Sequence, residues 1–74
     1  MTAASDYPVT IRPLSEAEGG GFLALVPDLP GCMSDGETPA EALANVYDAI
    51  ECWFEGAEEF GKPIPAPSRS AKSA

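Results

Sequence analysis

Residues 38–61 read TPAEALANVYDAIECWFEGAEEFG, and this stretch predicts a single amphipathic helix. Thr38 is a suitable N-cap, Pro39 fits the first helical position, and Glu41 is placed to complete a capping box with Thr38. Gly61, with a proline two residues later, predicts the end of the helix. Apolar residues between these signals recur at spacings of three and four and predict one buried stripe: Leu43, Val46, Ile50, Trp53, Ala57 and Phe60.

The chain before this helix predicts a small antiparallel sheet. Residues 7–13 alternate between apolar and polar side chains, which is typical of a strand with one buried face. The glycine-rich residues 16–21 predict a hairpin connection, and residues 22–26 predict the second strand. Residues 32–34 predict a brief third strand, and Asp35-Gly36 predicts the turn that leads into the helix.

The second predicted strand is apolar on both of its faces. Phe22, Ala24 and Val26 point to one side, whereas Leu23 and Leu25 point to the other. A strand of this kind is expected where both sheet faces are covered, and the single helix of this chain covers only one. We therefore expect another copy of the chain or a different protein to cover the second face, with Leu23 and Leu25 as interface residues.

The order strand, strand, short strand, helix predicts an α+β fold, a hairpin-led three-stranded antiparallel sheet with one helix packed on it. We place the domain at residues 7–65 and expect residues 1–6 and 66–74 to be flexible tails. A chain of 74 residues buries a thin core, so self-association into a dimer or tetramer is the expected additional source of stability. Cys32 and Cys52 match no disulfide or zinc spacing and are expected to be reduced thiols.

The charge balance limits the partners of the chain. Four Lys and Arg residues stand against twelve Asp and Glu residues, which gives a net charge of −8. Such a chain is expected to bind neither nucleic acid nor an anionic membrane directly, whereas a basic protein would be attracted to it. The sequence has no apolar segment of the roughly 20 residues that a membrane span needs, and its N-terminus lacks the features of a signal peptide, so we expect a cytoplasmic protein.

Catalytic residue types are scarce. The chain has no histidine, and neither cysteine has a neighbouring cation that would activate its thiol. Asp28, Asp35 and Glu37 are the only acidic cluster that suggests chemistry, either as magnesium ligands of a nuclease or as solvated turn residues. We favour the second interpretation, predict neither enzymatic activity nor a cofactor, and regard these carboxylates as the rim of an interface that also includes Leu29 and Phe54.

Several short motifs, taken in order, resemble the HicB-like antitoxin family. The resemblance begins with the apolar second strand and VPDLPGC at residues 26–32, and it spans residues 7–67. The matching residues that follow are Ser34, Gly36-Glu37-Thr38, Glu41-Ala42-Leu43, Asn45, Ala49-Ile50, Trp53 and Gly61-Lys62-Pro63-Ile64-Pro65. Each motif is weak alone, but their ordered combination is specific.

The resemblance implies a partial RNase H-like fold, often with a short fourth strand, and a role in a type II toxin–antitoxin system. The implied partner is a small basic HicA-type toxin that cleaves mRNA and that the antitoxin binds and masks. Many members also carry a C-terminal DNA-binding module. Nothing after Pro67 matches one, so the chain resembles a short form, and the resemblance does not extend to operator binding. The alternative is an orphan homo-oligomeric interaction module without a toxin partner.

Overall fold

The computed structural model describes residues 3–68 and confirms the α+β arrangement. Strands β1 (Thr10–Pro13), β2 (Phe22–Leu25) and β3 (Met33–Gly36) form an antiparallel sheet in the order β1-β2-β3. Helix α1 (Pro39–Glu59) packs on one face of this sheet. Within the described residues the sheet has three strands, and the similarity to an RNase H-like fold stays a prediction.

The predicted helix ends are confirmed, with one change in the hydrogen bonding. The Thr38 hydroxyl accepts a hydrogen bond from the Glu41 amide at 3.1 Å, as a capping residue should. The Glu41 carboxylate, however, accepts from the amide of Glu37 at 2.6 Å and not from that of Thr38. At the other end, Gly61 has a φ of +68°, and the amides of Gly61 and Lys62 donate to the carbonyls of Glu58 and Ala57 in a Schellman motif.

The third strand differs from its prediction. We predicted that Asp35-Gly36 would form a turn, but both residues belong to β3, where Asp35 pairs with Leu23 and Gly36 pairs with Phe22. The local turn signal is wrong here because pairing with the central strand occupies the backbone of these residues. The strand is therefore long enough to lie beneath the first turns of the helix.

The core lies between the sheet and α1. Its fully buried members include Ala24 from β2 and Val46 and Ile50 from the predicted helical stripe. Phe60, the last residue of that stripe, is 74% exposed and follows the final turn of α1. Ala42, which the stripe did not include, is fully buried against β3.

Helix α1 approaches β3 closely at Gly36. A Cβ atom on Gly36 would lie 2.5 Å from the backbone nitrogen of Ala42, closer than real Cβ contacts allow. Next to this approach, the Asn45 side-chain amide donates a 2.8 Å hydrogen bond to the Asp35 carbonyl. Toward its other end, Trp53 donates from Nε1 to the Pro30 carbonyl at 3.0 Å and ties the helix to the β2–β3 turn.

Residues near both chain ends contact the rest of the domain. Residues Ala4–Asp6 form a short 3-10 turn, and Ala4 is buried in the core. On the C-terminal side, the Tyr7 hydroxyl donates to the Pro65 carbonyl at 2.5 Å, and the Ser68 amide donates to the Asp28 carboxylate at 2.6 Å. Contacts with the domain thus occur on both sides of residues 7–65, and the placement of the domain at these residues stays a prediction. Residues 1–2 and 69–74 of the predicted tails lie outside the described residues.

The close approach at Gly36 predicts a selective effect of adding one methyl group. Gly36→Ala should lower the free energy of unfolding by about 1–3 kcal/mol, because the new Cβ would meet backbone atoms that cannot rotate away. Gly56→Ala is the control, since no heavy atom lies within 4 Å of its Cβ position, and it should raise stability by about 0.5–1 kcal/mol. Urea unfolding followed by circular dichroism measures both, and equal stability of the two variants would contradict the argument.

Candidate interaction surfaces

One sheet face is left uncovered by α1. Because Arg12, Leu23 and Asp35 are paired across the strands, their side chains share this face, and the same holds for Thr10, Leu25 and Met33. Leu23 and Leu25 are half-buried on the central strand, while Met33 is 50% exposed at its edge. We call these six residues the open face. It places Leu23 and Leu25 together on the side predicted for an interface.

Charged residues border the open face at opposite edges. Arg12 on β1 forms an exposed 3.8 Å ion pair with Glu18, whose pKa is lowered chiefly by hydrogen bonds from Ser15. Asp35 lies on the opposite edge strand, β3, with its side chain exposed. The open face therefore has an apolar centre between a cationic edge and an anionic edge.

The three carboxylates that we predicted as an acidic rim do not form one cluster. Asp35 and Glu37 both line a small polar depression beside the glycines of the β1–β2 connection. Asp28 lies in the β2–β3 turn, where it accepts the Ser68 amide. Within residues 3–68 no group of three Cys, Asp or Glu side chains is placed to hold a metal ion. The structure thus brings Asp35 and Glu37 together and leaves Asp28 apart.

Leu29 lies inside the core and not on the surface. Its side chain is 0% exposed, so in this fold it is not available to a partner, and its prediction as an interface residue is corrected. The turn after β2 folds back on itself, with the Leu29 amide donating to the Val26 carbonyl and the Cys32 amide donating to the Leu29 carbonyl. This folding turns Leu29 inward although its neighbours in sequence are polar or proline.

Phe54 lies in an open groove between α1 and the two chain ends. The groove has a volume of about 870 Å³, and Phe54 packs against Tyr7 there with ring centroids 5.8 Å apart. Ile64 and Ala66 from the C-terminal segment form another part of its wall. The residues that line it are Ala3, Tyr7, Glu51, Phe54, Glu55, Glu58, Ile64 and Ala66. We call this feature the terminal groove.

Two buried groups have raised pKa values. Burial, assisted by the negative charges of Asp28 and Asp6, raises the pKa of Tyr7. Burial also raises the pKa of the Cys32 thiol, so this cysteine is held in its protonated, unreactive form. Both shifts favour the neutral form of a group packed in the core, and neither creates a nucleophile or a base near neutral pH.

The sequence matches a known protein family over most of its length. Residues 7–74 match the model of a family described as "HicB_like antitoxin of bacterial toxin-antitoxin system". The chain belongs to the HicB-like antitoxin family. The match covers the sheet, the helix and the C-terminal segment together, so the family resemblance seen in the sequence motifs is confirmed.

Individual relatives show how much of the family's architecture this chain represents. It is 36% identical over 61 residues to a UPF0150 protein of Synechocystis sp., with 82% of this chain and 80% of that protein covered. It is 39% identical to Antitoxin HicB 1 of Photorhabdus laumondii and to Antitoxin HicB of Escherichia coli K12, covering 82% and 84% of this chain. In these two antitoxins it spans 37% and 43% of the whole length, respectively. The HicB-like region is therefore similar in all three proteins, which differ in how much further chain they carry.

No helix within residues 3–68 of this HicB-like chain is long and apolar enough to cross a membrane.

The raised pKa of Tyr7 predicts a distinct alkaline titration. The wild type and Tyr7→Phe are titrated with alkali while the absorbance at 295 nm is measured. The difference between the two titration curves reports the ionisation of Tyr7 alone. Its midpoint should lie above about 10, the ordinary value of tyrosine. In the unfolded chain Tyr7 ionises at its ordinary pKa, which is lower than its pKa in the folded protein. The contribution of Tyr7 to the free energy of unfolding is therefore complete below about pH 10 and is lost as the pH rises through the pKa of the folded protein. A midpoint at or below 10 would contradict the burial of the hydroxyl.

Proposed function

We propose that this HicB-like chain acts as an antitoxin that binds and masks a small basic HicA-type toxin that cleaves mRNA. The observation that carries the proposal is the charge of α1. The helix has no Lys or Arg and carries six carboxylates: Glu41, Asp48, Glu51, Glu55, Glu58 and Glu59. With a net charge of −8 and a single ion pair among residues 3–68, most of this negative charge is not neutralised within the domain.

This charge suits the proposed target. A protein that cleaves RNA needs cationic side chains to hold the phosphate backbone. An acidic protein domain is attracted to the same cations, and electrostatic attraction both accelerates the encounter and excludes the RNA. The proposed action needs no catalysis by the antitoxin, which accords with the protonated state of Cys32 and with the absence of histidine from the sequence. We propose the cytoplasm, where mRNA is translated, as its site of action.

The first test is co-expression with a small basic HicA-type protein, taken from the gene next to that of this chain where such a gene exists. The toxin alone should stop growth, co-expression should restore it, and the two proteins should purify as one complex. Because the attraction is between opposite charges, raising NaCl from 0.05 to 0.5 M should weaken binding by about tenfold or more. Isothermal titration calorimetry measures this change.

The control for this test is a toxin variant that lacks ribonuclease activity. It should bind the antitoxin as tightly as the active toxin does, which separates masking from any effect of RNA cleavage on cell growth. Failure to find a complex, or growth that is not restored by co-expression, would refute the proposal.

The open face favours a second candidate function, a homo-oligomeric interaction module. Half-buried leucines lie at its centre, and α1 leaves them without a covering layer. The open face is small. Three strands about 4.8 Å apart, each four residues long at about 3.3 Å per residue, cover an area of less than about 200 Å². Stable interfaces bury about 800 Å² per partner, so this face alone supports a weak association.

The pairing of charges on the open face defines how two copies would meet. Arg12, Leu23 and Asp35 form one row across the sheet. A two-fold axis parallel to the strands would place Leu23 on Leu23 of the second copy and Arg12 opposite Asp35 of the second copy. An axis perpendicular to the strands would instead place β1 on β1 and lose this complementarity.

The arrangement predicts a charge-swap effect on self-association. Asp35→Arg should weaken dimerisation at least about threefold, because it would place two cations opposite each other, and Arg12→Glu combined with Asp35→Arg should restore it. Sedimentation equilibrium between 10 µM and 1 mM measures the dissociation constant. A monomer throughout this range, or a dimer that is unaffected by the swap, would exclude the open face as a self-interface.

A further inference from the structure

The terminal groove has an apolar floor that the fold itself does not cover. The Tyr7 and Phe54 rings pack in a tilted arrangement with an interplanar angle of 53°, and the half-buried Phe54 ring lines the groove. Ile64 faces the same space and is 38% exposed, so it adds apolar surface to that of Phe54. Water in contact with this floor would be displaced favourably by an apolar side chain of another molecule.

One wall of the groove is a row of carboxylates. Glu51, Glu55 and Glu58 are spaced by four and three residues, so they follow one helical face over about 10 Å. None of the three forms an ion pair within residues 3–68. The groove thus combines apolar surface with negative charge that no cation of the described chain neutralises.

The position of this wall is unfavourable for the helix alone. Glu55 and Glu58 lie in the last two turns of α1, where the helix dipole is negative and repels carboxylates. A basic residue there would stabilise the isolated helix, and no basic residue lies in its last turn. The carboxylates at this end of α1, Glu58 in the groove and Glu59 outside it, therefore do not stabilise the helix by themselves.

We propose that the terminal groove is the docking site for a basic segment of the toxin, an apolar side chain flanked by Lys or Arg residues spaced over about 10 Å. This inference rests on the proposed antitoxin function and assigns the surface that it uses. The apolar side chain packs on the floor at Phe54 and Ile64, and the cations pair with the glutamates of α1. A second copy of this chain is a poor occupant, because it brings a net charge of −8 to the same acidic wall.

The site predicts that equal changes of charge have unequal effects on binding. The groove variant combines Glu51→Lys with Glu55→Lys. The control variant combines Asp48→Lys with Glu59→Lys. Both change the net charge of the same helix by the same amount, but only the groove variant changes residues that line the groove. At 0.1 M NaCl the groove variant should bind the HicA-type protein at least tenfold more weakly than the wild type. The control should change binding less than about threefold.

Measurements on the free variants separate binding from folding. Circular dichroism and thermal unfolding should show that both variants are folded, with the melting temperature of the groove variant close to that of the wild type, because Glu51 and Glu55 are exposed. If the lysine variant fails to fold, Glu51→Gln with Glu55→Gln replaces it and should weaken binding at least threefold. Weaker binding by a folded, equally stable protein would locate the effect at the interface.

The outcomes distinguish this inference from the function on which it rests. If the wild type forms the complex and the groove variant binds with the same affinity, the terminal groove is not the docking site, and the antitoxin function is not affected. Equal weakening by the groove and control variants would also overturn the groove as the docking site, because the effect would then be one of net charge. Absence of any wild-type complex would refute both the function and the site, and a groove-dependent dimer of this chain would replace the toxin with a second copy as the occupant.

Discussion

The direct contact between α1 and β3 at Gly36 determines how the rest of this small domain is arranged. A side chain at this position would meet the backbone of Ala42, so the helix rests on the strand without an intervening side chain. With its first turns fixed there, α1 presents Val46 and Ile50 to Ala24 on the central strand and closes the core. Because the single helix covers one face of the sheet, the other face remains open. The side of α1 that points away from the sheet exposes its carboxylates to solvent. The open face and the acidic side of α1 therefore both follow from this contact.

Much of the fold is predictable because its strongest signals are local. The N-cap Thr38 and the terminal Gly61 define the helix through interactions with residues three to five positions away, and the sequence shows these neighbours directly. The association of the chain ends has no such signal. The hydrogen bond from Tyr7 to Pro65 joins residues 58 positions apart, and the proline-rich segment that contains Pro65 lacks the periodicity of a helix or a strand. Local sequence signals do not reveal contacts of this kind, because they join residues far apart along the chain.

The candidate surfaces divide in the same way. Alternation along β2 predicts that Leu23 and Leu25 share a face away from the helix, and the register confirms this placement. Leu29 was misplaced because a leucine between Asp28 and Pro30 resembles an exposed loop residue, whereas the folded-back turn buries it. The acidic wall was not singled out, although the spacing of Glu51, Glu55 and Glu58 was visible. What the sequence did not show is that the C-terminal segment returns along α1 and makes a groove beside them.

The distribution of charge explains how one small chain can present two different surfaces. The open face holds Arg12 opposite Asp35, so it lacks the strong negative charge that would repel a second copy. Helix α1 carries only acidic charge, so a second copy is repelled there and a basic protein is attracted. The open face and α1 lie on opposite sides of the sheet. Self-association through the open face would therefore leave each acidic helix accessible, and two helices held in one assembly would raise the effective concentration of binding sites for a basic partner.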